Sequence, residues 1–176
     1  MKVLAFAASS SIESINKKLV TYAASLVEDA QVEVLDLNDY EMPLFSVDRE
    51  QKLGQPEQAV SFMSKIEQSD AVIISFAEHN GSYSAAYKNL FDWCSRISNK
   101  VYQGKPMVLL SASPGQGGAG NVLAAAVKSM QFFDGHVKAS LSVPNFGDNY
   151  DLKAGKLANK DLDLKLREAL STLKIS

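Results

Sequence analysis

Three short stretches of this chain gather residue types that could do chemistry. The first, Ser9-Ser10-Ser11-Ile12-Glu13-Ser14-Ile15-Asn16, sets four hydroxyls ahead of a helical pattern. The amides at a helix N-terminus favour an anion and serine hydroxyls add donors, so a phosphate monoester is a suitable guest. The same stretch also reads as an ordinary helix cap. Glu13 is a poor neighbour for a phosphate and is expected to point outward. The second stretch, Ala77-Glu78-His79-Asn80-Gly81-Ser82-Tyr83, holds an Asn-Gly turn that lets backbone come close to a ligand. Its amides could donate to the carbonyls and ring nitrogens of a flat heterocycle; an ordinary turn before a helix fits it too. The third runs from Ser111 and Ser113 through Gly115, Gly117, Gly118 and Gly120. Glycines at that density just after an apolar run imply close backbone approach. The stretch lacks the Gly-Lys-Ser/Thr of a Walker loop and misses the dinucleotide fingerprint in spacing and position.

The elements that must position these stretches alternate along the chain. Apolar runs of strand length at 3–8, 71–77 and 106–112 and alternating runs at 32–37 and 137–143 predict five strands. The fully apolar runs belong in the middle of a sheet covered on both faces. Helical spacing predicts helices over 15–27, 57–67, from Ser82 or Ser84 to 97, 121–133 and 161–174. Residues 38–56, with Pro43, Gly54 and Pro56, are expected to form a long loop with at most one short helical turn. Residues 144–155 are expected to be a second loop. Strict alternation implies a parallel sheet with right-handed crossovers. The expected fold is thus an α/β flavodoxin-like three-layer sandwich, its five-stranded parallel sheet ordered 2-1-3-4-5, in a single domain over 1–176. In such sheets ligands bind beyond the carboxyl ends of the strands where the strand order reverses. That point lies between the first and third strands and joins the three stretches into one site.

Composition narrows the classes. A net charge of −2, with Lys and Arg interleaved among acids, argues against nucleic acid as the main partner. The lone cysteine, Cys94, rules out an internal disulfide and a cysteine zinc site, and His79 and His136 are too few for most catalytic metal sites. The apolar start is shorter than a signal-peptide core and no run reaches membrane-spanning length, so a cytoplasmic protein with no membrane partner is expected.

Taken together, the three stretches resemble the NADPH-dependent FMN reductase family, which includes quinone and azo-dye reductases, over nearly the whole chain. A family first loop of the form Gly-Ser-x-Arg-x-x-Ser-x-Asn is matched by Ser9, Ser14 and Asn16, with Ala8 for the glycine and Ser11 for the arginine. A second loop of the form Pro-Glu-Tyr-Asn-x-Ser is matched by Glu78, Asn80 and Ser82, with Ala77 and His79 departing. The following Ala85-Ala86-Tyr87-Lys88-Asn89-Leu90-Phe91-Asp92-Trp93 resembles the family helix and is the most specific stretch. The third loop is matched loosely by Ser111, Ser113, Gly115 and Gly118, with Gly120 where an arginine is common.

The resemblance implies an enzyme that holds FMN and takes hydride from NADPH or NADH for a small-molecule electron acceptor. It implies cofactor-binding roles for Ser9, Ser11, Ser14, Ile15 and Asn16 at the phosphate. At the ring it implies Glu78, His79, Asn80, Gly81 and Ser82, and it gives Ser113, Gly115 and Gly118 of the third loop a cofactor-binding role as well. No catalytic residue is assigned; His79 is the one candidate proton donor. A homodimer or homotetramer is also implied. Loss of the arginine removes a charge-assisted bond worth about 1.5–3 kcal/mol unless Lys17 or Lys18 supplies the charge. The loops at 39–55 and 145–155 are expected to shape the acceptor pocket. A flavodoxin-type carrier and a binding module with a decayed flavin site stand as alternatives.

Overall fold

The computed structural model describes residues 1–173. Five parallel strands form the central sheet: β1 (Lys2–Ala8), β2 (Gln31–Leu35), β3 (Ala71–Phe76), β6 (Pro106–Ala112) and β7 (His136–Val143). Their order is β2-β1-β3-β6-β7, which is the flavodoxin-like order expected. Helices α1 (Ile15–Ser25) and α7 (Lys160–Ser171) cover one face; α3 (Glu57–Glu67), α4 (Ala85–Ile97) and α5 (Gly120–Met130) cover the other.

The period-2 geometry of a strand divides each central run between the two layers. Leu4, Phe6, Val72, Ile74, Phe76, Met107 and Leu109 face the α3–α4–α5 layer, packing with Trp93, Leu90 and Ile66. Val3, Ala5, Ile73, Val108 and Leu110 face α1 and α7, packing with Leu19, Val20 and Leu166. Edge strand β2 is mostly exposed, which explains why it alternates while β3 does not.

Several boundaries differ from expectation. The second strand stops at Leu35 because Asp36 caps a 3-10 turn, Leu37–Tyr40. The predicted loop at 38–56 holds more than one helical turn: besides that 3-10 turn it contains α2 (Val47–Leu53), begun by the Ser46 cap and ended by Gly54 at φ 71°. No α2 residue is buried, so no apolar stripe announces it. The predicted loop at 144–155 contains a short helix α6 (Phe146–Asn149) and the strand β8 (Tyr150–Asp151), which pairs with β9 (Lys156–Leu157) just beyond it. The terminal helix ends at Ser171 with Thr172 as its C-cap, short of the predicted extent, whose last residue, Lys174, lies outside the described residues. Among the described residues, no helix is long and apolar enough to cross a membrane.

Candidate functional site

The first stretch crosses the carboxyl edge of the sheet between β1 and α1. Buried Ser9 accepts the Ser11 amide on its Oγ at 3.2 Å. Buried Ser14 is the α1 N-cap and accepts the Lys17 amide at 3.3 Å. The amides of Ser10, Ile12, Glu13, Ile15 and Asn16 have no acceptor among the described residues. With the exposed hydroxyls of Ser10 and Ser11, they make a cradle of outward donors at the positive end of a helix. Ile15 gives the cradle its amide while its half-buried side chain packs against the core on the α1–α7 face of the sheet.

Asn16 points the other way. It is 2% exposed, and its Oδ1 accepts the Ser75 hydroxyl at 2.8 Å and the Ala112 amide at 2.9 Å. Its Nδ2 donates to the Ala112 carbonyl at 3.2 Å. The side chain therefore clips α1 to the carboxyl ends of β3 and β6. Glu13 stands in solvent as expected, paired with Lys18 at 2.8 Å.

The second stretch is a hairpin, β4 (Glu78–His79) paired with β5 (Ser82–Tyr83). Asn80 at φ 53° and Gly81 at φ 77° both lie in the left-handed region, as a two-residue type I′ turn requires. His79, Asn80, Gly81 and Ser82 are exposed at the tip. Glu78 is engaged instead: its carboxylate accepts the Val122 amide at 2.9 Å and the Asn121 side chain at 3.3 Å. It thereby caps α5, whose own N-cap Ala119 supplies no side-chain acceptor. The hairpin is thus tied to the third stretch.

In that third stretch the glycines divide. Gly118 sits at φ 58°, and a Cβ there would meet the Ser142 hydroxyl and come within 3.1 Å of the Pro144 nitrogen. Its carbonyl accepts from Ser111 at 2.7 Å and Ser142 at 2.8 Å. The close approach at this position is to the end of β7. Gly115 and Gly117, by contrast, have nothing within 4 Å of where a Cβ would stand. Ser113 donates to the Gly115 carbonyl at 3.1 Å, which shapes the turn.

Of the thirteen residues expected at the site, Ser11, His79, Asn80, Gly81, Ser82 and Gly115 are exposed along this edge. Ser9, Ser14, Asn16, Glu78, Ser113 and Gly118 hold the loops in shape through the bonds described. Three residues outside that set do the same work. Ser84, which settles the choice of cap for α4, accepts the Tyr87 amide at 3.2 Å and donates to the Ala8 carbonyl at 2.8 Å. Ser75 and Ser111 are single polar residues near the carboxyl ends of otherwise apolar strands, and that interruption is a signal the sequence carries.

A groove of about 380 Å³ opens beside Ser10, between residues 37–44 and the start of α4, with Tyr40, Met42 and Leu44 on its wall. Asn89 pins that wall, donating to the carbonyls of Met42 at 3.1 Å and Pro43 at 3.2 Å and accepting the Phe45 amide at 2.8 Å. Trp93 Nε1 adds a bond to the Pro43 carbonyl at 2.8 Å.

The chain matches the NADPH-dependent FMN reductase family over residues 1–148. An NAD(P)H-dependent FMN reductase of Pseudomonas aeruginosa is 27% identical over 99% of this chain and 94% of its own length. An NADPH:quinone oxidoreductase of Arabidopsis thaliana is 31% identical over 67% of this chain and 61% of its own length. The solved structure of FerB, a flavoenzyme NAD(P)H:(acceptor) oxidoreductase from Paracoccus denitrificans, shares the fold. It superposes with a TM-score of 0.76 at 23% identity, covering 98% of this chain and 94% of that one.

Proposed function

This chain belongs to the NADPH-dependent FMN reductase family, an FMN-dependent NAD(P)H oxidoreductase, and we propose that its flavin sits at the sheet edge between β1 and β3. The observation that carries this placement is the cradle of acceptor-less amides at the start of α1, next to an exposed hairpin tip and bare glycine backbone. Those groups suit a phosphorylated flat heterocycle: donors for the phosphate, and flat backbone with no side chain in the way for the ring.

In this reading the amides of Ser10, Ile12, Glu13 and Ile15 and the hydroxyl of Ser11 hold the phosphate. His79, Asn80, Gly81 and Ser82 lie against the ring with Gly115. Ser9, Ser14, Asn16, Glu78, Ser113 and Gly118 fix the loops that carry them. FMN, when bound, supplies the redox chemistry of hydride exchange between NAD(P)H and an acceptor. The protein's share is to position that cofactor and to leave its exposed edge open to a second molecule. The groove walled by Tyr40, Met42 and Leu44 suits a small-molecule acceptor. A single-domain, cytoplasmic homo-oligomer completes the reading.

Titration of purified protein with FMN, followed by stopped-flow reduction with NADPH and NADH, is the test. A bound flavin band that either nicotinamide bleaches supports the enzyme. Bleaching by dithionite alone would point to a carrier, and failure to take up FMN would remove the proposed site.

A further inference from the structure

The cradle is short of positive charge. Ser11 stands where the family motif has arginine, and the lysines nearest in sequence are Lys17 and Lys18. Both ammonium groups are already paired, Lys18 with Glu13 and Lys17 with Asp36. The pairs differ in kind. Lys18–Glu13 is local, and the Glu13 side chain is 87% exposed. Lys17–Asp36 links two elements, the first turn of α1 and the end of β2. Asp36 is also held from its other side, its Oδ1 accepting the Asn38 amide at 3.0 Å and the Asn38 side chain at 2.8 Å. Lys17 sits on a flexible stem that is 39% exposed and, like Lys18, it lines an open groove of about 530 Å³; what sets it apart is that its partner belongs to another element. Its amide is bonded to the N-cap Ser14, which puts Lys17 in the first turn of α1.

We propose that Lys17 is the counter-charge of the flavin phosphate in place of the family arginine, and that Asp36 is a built-in competitor which holds Lys17 when no flavin is bound. The inference rests on the flavin reading above. The lysine–carboxylate pair is half-buried and only partly screened by water, and Lys17 holds the Asp36 carboxyl below its ordinary value, so Asp36 is a real competitor for the ammonium. A phosphate monoester carries up to twice the charge of a carboxylate and three strong acceptors. It would also sit at the positive end of α1. Exchange of partner therefore favours the phosphate. Asp36 is not stranded by the exchange, since Asn38 keeps two hydrogen bonds to it.

FMN and riboflavin differ only in the phosphate, so the ratio of their affinities isolates this effect. Flavin fluorescence quenching at low ionic strength measures both. Asp36→Asn should tighten FMN about tenfold and leave riboflavin unchanged. Lys17→Met should weaken FMN by a similar factor, again without moving riboflavin, while Lys17→Arg should restore it. On the Lys17→Met background, adding Asp36→Asn should change FMN affinity less than about twofold, since the competitor has nothing left to hold. Added salt should shrink the FMN increment. Unfolding midpoints of each variant establish that it is folded. An FMN-to-riboflavin ratio unmoved by Asp36→Asn overturns the partner exchange and leaves the flavin reading standing. Equal loss of both flavins in Lys17→Met gives Lys17 a structural role and overturns it too. Failure of the unaltered protein to bind either flavin overturns the reading on which the proposal rests.

Discussion

Truncating Asn16 tests whether the site edge is held by its buried polar clip. Asn16→Ala removes the acceptor of the Ala112 amide and of the Ser75 hydroxyl, and the donor to the Ala112 carbonyl. A buried donor left unpaired costs about 1–3 kcal/mol. The Ser75 hydroxyl can rotate toward another acceptor but the Ala112 amide cannot, so we expect a loss of about 3–4 kcal/mol, large against a typical domain stability of about 5–15 kcal/mol. Guanidinium unfolding followed by circular dichroism measures it, with the slope checked for constancy. Asn16→Asp keeps the acceptor and loses the donor, placing a carboxylate against the Ala112 carbonyl. A buried carboxylate facing an acceptor has its pKa raised, so this variant should regain stability as pH falls and the acid protonates. A double cycle with Ser75→Ala should be non-additive by roughly 1 kcal/mol, because the two side chains share one bond. A loss below about 1 kcal/mol for Asn16→Ala would mean that water replaces the amide without penalty, and the clip would not be what fixes the edge.

Other outcomes follow from single contacts. Gly118→Ala should destabilise by at least about 2 kcal/mol, since it combines a left-handed φ with collisions against Ser142 and Pro144, whereas Gly117→Ala should fall within about 0.5 kcal/mol; paired thermal melts distinguish them. Glu78→Ala strips the cap from α5 and should cost about 1–2 kcal/mol, with amide exchange of Val122 rising before that of the rest of the helix. Burial pushes the Cys94 thiol up to about 12, so a thiol reagent at pH 8 should leave the native protein untouched and label it quickly in denaturant. By linkage, Cys94 adds stability in full below pH 9.0, its ordinary value, and that share shrinks as pH rises toward 12, which unfolding curves at alkaline pH would register beside a Cys94→Ala control.

The fold was legible wherever burial leaves a pattern. The apolar runs at β3 and β6 declare strands covered on both faces, and α4 declares itself by Tyr87, Leu90, Phe91 and Cys94, of which all but half-buried Phe91 are buried, with Trp93 buried beside them. Elements without a buried face leave no such trace. Helix α2 buries nothing and is held by the Ser46 cap, the stop at Gly54 and the Arg96–Glu50 ion pair at 2.9 Å, none of which repeats at a period. The β8–β9 ladder is two residues long on each side, too short to alternate. At the site, residue types were legible and their directions were not. Serine and asparagine can face a ligand or the backbone with equal chemistry. Asn16 turned inward because β3 and β6 end beneath α1, a fact of sheet order that no local spacing contains.

What results is an edge whose loops are tied to one another. Asn16 joins the first loop to β6, Ser84 joins the hairpin to β1, and Glu78 joins the hairpin to α5. Ser111 and Ser142 hold the third loop at Gly118. Each bond crosses from a loop to a different element, so no loop can shift without breaking a partner's contact. Donors held this way are aimed before a ligand arrives, and little ordering remains to oppose binding. Direction without charge nonetheless leaves an anion undercompensated. The groups that can correct that shortfall are the lysines of α1, which lie outside the tied network and move on flexible stems. On the proposed placement of the flavin, Ser11 in place of the family arginine is tolerable because the rigid and the adjustable parts of this edge are different residues: backbone amides would set where the phosphate sits, and Lys17, once released by Asp36, how tightly.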